Sequence, residues 1–92
     1  MGRIPRRKQR RVGEKLRQIR HAFDLSQNEI LRRTGLAEEV TRNNISNYEL
    51  DEREPPLFVL LRYARLAGVC LDVIVDDDLD LPRRLPSSPV HR

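Results

Sequence analysis

A chain of 92 residues, 35% charged and only 4% aromatic, with no tryptophan, has material for one small domain and a single modest core. That leaves little from which to build a large ligand pocket and suits a small all-helical module. The net charge of +4 is unevenly spread: residues 1–11 hold Arg3, Arg6, Arg7, Lys8, Arg10 and Arg11 without an acid, leaving twelve basic against fourteen acidic residues elsewhere.

Residues 1–11 read as a disordered basic arm, because their charges repel and they offer almost no apolar surface. Such an arm suits a polyanion, whose phosphates it neutralises with release of counterions. From Val12 a helical period begins, with Val12, Leu16, Ile19 and Phe23 on one face. Asp24 follows where a residue tolerant of left-handed geometry is useful. Ser26-Gln27-Asn28-Glu29 is a capping box that starts a second helix, with Ile30 and Leu31 inward and an end near Thr34-Gly35. Thr41 is an N-cap for a third helix, and Val40 can staple onto Ile45. On that helix Ile45, Tyr48 and Glu49 share the inner face.

Asp51 to Pro56 is a polar turn whose two prolines set the start of a fourth helix. Leu57, Leu60, Leu61, Ala64 and Ala67 form its expected inner stripe, and Gly68 its stop. A fifth, short helix carries Leu71 and Ile74. Asp76, Asp77, Asp78 and Asp80 then read as a solvated acidic linker into a flexible tail. The expected organisation is thus an arm at 1–11, a folded domain at 12–78 and a tail at 79–92.

Several segments together resemble the Cro and XRE type of phage-repressor helix-turn-helix family. They are Leu25-Ser26-Gln27-Asn28-Glu29-Ile30, Gly35, Ile45-Ser46-Asn47-Tyr48-Glu49, Arg53-Glu54-Pro55, Leu60-Leu61-Arg62-Tyr63-Ala64 and Gly68-Val69-Cys70-Leu71-Asp72-Val73-Ile74. No single segment is specific; their order and downstream spacing carry the likeness, over about residues 12–75. The resemblance implies a five-helix, lambda-repressor-like domain in which helices 2 and 3 form the motif and helix 3 lies in the major groove of DNA. Three features depart from the family pattern. Nine residues separate Gly35 from Ile45 where the family usually has five, so the turn is longer. Leu31 stands where a small residue is usual, and Asp51 where glycine is common.

With Ile45 inward and about 100° per residue, Asn43 and Asn47 lie about 160° away on the outer face of helix 3, flanked by Ser46 and by Arg42 in the first turn. Asparagine can bind adenine through two hydrogen bonds, and arginine can do the same to guanine. The resemblance places base readers at these same positions: Arg42, Asn43 and Asn47. It also places Gln27 on the DNA backbone, where a side-chain amide and the helix N-terminus suit a phosphate. Thr41, Asn44 and Ser46 are further expected DNA contacts, as are the arm residues Arg6, Arg7, Lys8, Arg10 and Arg11. Arg20 and Glu49 are implied as a pair tying helix 1 to the end of helix 3.

Apolar residues left over from the inner stripes, Phe58, Val59, Val73 and Val75, are the expected interface of a homodimer. The implied activity is that of a transcription regulator, chiefly a repressor, on an inverted-repeat operator. The alternative is a protein-binding role, as an antitoxin or small adaptor whose acidic tail or fifth helix grips another protein; RNA binding comes after it.

An enzyme is not expected. His21 and His91 share no ligand spacing with Cys70, so no metal is implied, and no glycine loop cradles a phosphate. Cys70 reads as a small packing residue, and a single cysteine suits a reducing compartment. No cofactor or membrane partner is expected, and the location is cytoplasmic, at the nucleoid: the longest apolar run, Leu57–Leu61, is far short of a membrane span.

Overall fold

The computed structural model describes residues 9–86. Along them run five helices: α1 (Val12–Ala22), α2 (Gln27–Thr34), α3 (Arg42–Glu49), α4 (Leu57–Ala67) and α5 (Leu71–Val75). No strand occurs among the described residues. At the start of α2 the capping box forms: Ser26 Oγ accepts from the Glu29 amide at 3.1 Å, and Glu29 Oε1 from the Ser26 amide at 2.8 Å. These bonds, the backbone one foremost, hold the Glu29 carboxyl below its ordinary pKa. Asp24 takes the left-handed conformation, at φ 57°.

α1 has no capping side chain of its own, since Arg11 occupies its N-cap. Its caps come from far along the chain. Asp77 Oδ1 and Oδ2 accept from the Arg11 and Arg10 amides at 3.1 and 2.9 Å, and Asp51 Oδ1 accepts from the Gly13 amide at 3.3 Å. Two carboxylates thus sit at the positive end of the helix, where negative charge is favoured. The Arg11 guanidinium closes the same junction on Asp80 Oδ1 at 2.6 Å and the Asp77 carbonyl at 2.9 Å. One turn on, Lys15 is wholly buried and donates to the Val73 and Asp76 carbonyls at 2.8 and 2.7 Å, fastening the end of α5 to α1.

This junction corrects two expectations. Arg10 and Arg11 belong to the folded domain rather than to a disordered arm, and Asp77 is a half-buried cap rather than part of a solvated linker. The two charge runs are 66 residues apart at Arg11 and Asp77, so each looks self-repelling until α5 packs on α1. Arg6, Arg7 and Lys8 lie outside the described residues.

Leu16 and Ile19 of α1, Ile30 of α2, Ile45 of α3, Val59 and Tyr63 of α4 and Ile74 of α5 meet in one fully buried core. Each large apolar side chain removed from water there contributes about 1.5–3 kcal/mol, which makes this cluster the main source of stability. α1 crosses α3 closely at Gly13, where a Cβ would stand 2.5 Å from the Tyr48 carbonyl oxygen and 2.8 Å from that of Glu49. Only glycine lets the two backbones meet. Asp51 holds the left-handed conformation that favours glycine, at φ 59°, and its bond to the Gly13 amide supplies a reason for an aspartate there.

α4 is rotated from its expected phase. Val59, Leu60, Tyr63, Ala64 and Ala67 face inward, whereas Leu57 and Leu61 are 67% and 37% exposed. An unbroken apolar run from Leu57 to Leu61 fits either phase by periodicity; packing decides, with Arg62 reaching the Thr34 carbonyl at 2.9 Å. The segment after Asp78 also differs from a flexible tail as far as it is described. Leu85 is buried and Leu81 packs against the core, beside Gln18 and Ala22 of α1. Cys70 is exposed at the N-cap of α5, which corrects its expected packing role.

Candidate nucleic-acid interface

α2 ends at Gly35, whose φ of 74° is the left-handed stop, and the Leu36 amide turns back to the Leu31 carbonyl at 2.9 Å. The longer connection that follows is one tight turn. Glu39 and Val40 amides both donate to the Leu36 carbonyl, at 3.0 and 2.9 Å. Leu36 and Val40 are buried as its anchors, while Ala37, Glu38 and Glu39 between them are exposed. The extra residues therefore fold as a surface turn with both ends seated in the core.

Val40 leads into the N-cap of α3 and shares the core with Ile45, as a hydrophobic staple requires. Thr41 Oγ1 accepts from the Asn44 amide at 3.2 Å, while Asn44 Oδ1 accepts from the Thr41 amide at 3.0 Å and its hydroxyl at 2.9 Å. Sequence reasoning missed this second capping box because the usual pattern has Glu or Gln at the third position, and Asn stands there. Thr41 and Asn44 thereby fix the start of α3, with their side-chain oxygens engaged in the cap.

Ile45, Tyr48 and Glu49 are buried under α3. On the opposite face Asn43 is exposed and Asn47 half-buried, flanked by the half-buried Ser46 and by Arg42, exposed in the first turn. The four offer amide, hydroxyl and guanidinium groups without a carboxylate. The far end of α3 is held by Glu49, which accepts from Arg20 Nε at 2.7 Å and Nη2 at 2.9 Å. These two parallel bonds raise the Arg20 pKa above its ordinary value, burial opposing them. Arg20 Nη1 also donates to the Leu25 carbonyl at 2.9 Å, and Gln27 Nε2 to Glu49 Oε1 at 3.2 Å. One carboxylate therefore joins α1, α2 and α3. Gln27, expected at a phosphate, is half-buried with its amide turned to this junction. Behind it the Tyr63 hydroxyl is buried without a hydrogen-bond partner among the described residues, and burial pushes its pKa up, aided by the Glu49 charge.

The remaining expected site residues separate by burial. Val59 is fully buried and so is removed from any interface; its neighbour Phe58 is exposed. Val73 and Val75 are half-buried, with Val75 packed against the core. Arg11 is occupied by Asp80 and Asp77, whereas Arg10 is exposed and held by its backbone amide. Lys15, Gly13, Asp77 and Arg62 do structural work that sequence reasoning assigned to none of them. Among the described residues no group of His, Cys, Asp or Glu is arranged to hold a metal, and no helix is long and apolar enough to cross a membrane.

Two short helices joined by an anchored turn, the second capped, pinned at both ends and polar on its outer face, define a helix-turn-helix DNA-binding protein. The helix-turn-helix family model of Cro/C1 type matches residues 16–74, and the chain belongs to that XRE family of DNA-binding transcription regulators. No curated protein and no solved structure matches the chain.

Proposed function

We propose that the protein is a sequence-specific repressor that binds an inverted-repeat operator as a homodimer, with α3 in the major groove. The observation that carries this reading is the outer face of α3, where Arg42 and Asn43 are exposed and Asn47 borders them on a helix fixed at both ends. A guanidinium there prefers guanine and the two amides prefer adenine. Gln27, Thr41 and Asn44 contact the DNA backbone, Ser46 lies beside the base readers, and the basic residues before α1 add affinity with little sequence choice. The protein acts by occupancy at the nucleoid, in the cytoplasm, and not by catalysis.

Selection of bound sequences from a random duplex library tests the reading. A palindromic consensus with half-site centres roughly 34 Å apart is the expected result. Recovery of no consensus, with equal binding to structured RNA, would remove it.

A further inference from the structure

The turn between α2 and α3 carries two carboxylates that the fold does not use. Glu38 and Glu39 are exposed, and neither forms an ion pair among the described residues. The other acids of the two helices are engaged, Glu29 in the capping box of α2 and Glu49 by Arg20 and Gln27. Nor does the start of α3 need an acid beside it, because Thr41 and Asn44 already cap it. The turn is also set in place. Leu36 and Val40 are buried on either side, and the Leu36 carbonyl accepts from the Glu39 amide at 3.0 Å. Glu39 therefore precedes the exposed Arg42 by three residues on a fixed backbone. The two Cα atoms are separated by at most about 11 Å of chain.

The N-terminal residues of a recognition helix meet base edges, so the turn before α3 borders the same groove. A carboxylate there faces phosphates of its own sign and weakens binding unless it meets a donor. In the major groove cytosine N4 is such a donor; adenine sets the acceptor N7 beside its N6, which suits an amide and repels a carboxylate. We propose that Glu39 is a further specificity-determining residue, which accepts a hydrogen bond from N4 of a cytosine next to the bases read by α3. This role rests on the reading of α3 above and extends the half-site beyond it. The cytosine falls within about three base pairs of the guanine that Arg42 prefers, at roughly 3.4 Å per step. Glu39 also discriminates by repulsion, since a duplex without the cytosine leaves its charge unpaired against phosphate.

Random-duplex selection with the full chain, run on Glu39→Ala, Glu39→Gln and Glu38→Ala beside the parent, tests this role. The parent consensus should hold a cytosine preferred by roughly fivefold or more at one position of each half-site. Glu39→Ala should erase that preference, leave the guanine and adenine positions intact and bind an arbitrary duplex severalfold more tightly. Glu39→Gln should turn the preference towards adenine, which an amide matches. Glu38→Ala should keep the parental consensus, and all three variants should keep the parental melting temperature. A consensus unchanged by Glu39→Ala overturns the role. Tighter binding to arbitrary duplex alone would then mean that the turn only repels DNA, and a lower melting temperature that the carboxylate serves the α3 dipole. Loss of the cytosine on Glu38→Ala instead overturns the assignment to Glu39. A parent with no consensus at all removes the reading of α3 itself, a result distinct from a parental consensus that Glu39 does not affect.

Discussion

Glu49 is the residue through which the end of α3 is held. It is buried, accepts two bonds from Arg20 and a third from Gln27, and lies on the last turn of α3. Removing one partner of a buried ion pair strands the other charge and costs about 3–5 kcal/mol. The Arg20 side chain is 13% exposed, so water relieves part of that cost. Arg20→Ala should therefore lower the melting temperature by several degrees without DNA, and a mutant melting within a degree of the parent would show a mere surface contact. The pair is legible in the sequence only through the family resemblance, because nothing in the spacing from Arg20 to Glu49 brings them together. Lys15 is less legible still. A lysine beside Leu16 reads as solvated, and only the packed end of α5 supplies the carbonyls that let it be buried.

At the scale of elements, caps and periods locate all five helices, and packing then decides what they cannot. The start of α2 and the left-handed Asp24 follow from local chemistry, which the sequence carries in full. The phase of α4 does not, since five consecutive apolar residues satisfy two inner stripes equally. The longer turn before α3 is visible as a count, but its fold depends on Leu36 and Val40 both finding the core. The segment after α5 reads as a flexible tail for a related reason. Its leucines are sparse among prolines, arginines and acids, and their value appears only when Leu81 and Leu85 meet the core. A chain ending at Asp78 loses both leucines and the Arg11–Asp80 pair. It should melt several degrees below the full chain, given about 1.5–3 kcal/mol for burial of a leucine. An unchanged melting temperature would mean that the segment lies on the core without stabilising it.

Across the whole molecule, charge is arranged in two ways. Arg11 is used internally, against Asp77 and Asp80, while Arg3, Arg6, Arg7 and Lys8 precede the described fold. If those four cations engage phosphates, deleting residues 2–8 should flatten the log affinity against log salt slope by about 0.9 for each phosphate that is no longer neutralised. The operator consensus should stay the same, because phosphate contacts position a protein without reading sequence. A truncated protein with the parental slope would show that these residues do not engage DNA.

The central claim is that α3 reads bases through Arg42, Asn43 and Asn47, and repeating the random-duplex selection with all three changed to alanine tests it most directly. Asn43 and Asn47 lie on the face opposite Ile45 and Arg42 is exposed in the first turn, so their removal leaves the core and the Thr41–Asn44 cap in place. Each good bidentate contact carries about 1–3 kcal/mol of discrimination, so the triple variant should lose its consensus at the matching positions of each half-site. It should keep its melting temperature and its salt-dependent affinity for arbitrary DNA. The same consensus recovered from the triple variant, as sharp as from the parent, would contradict the account and move base reading to other residues.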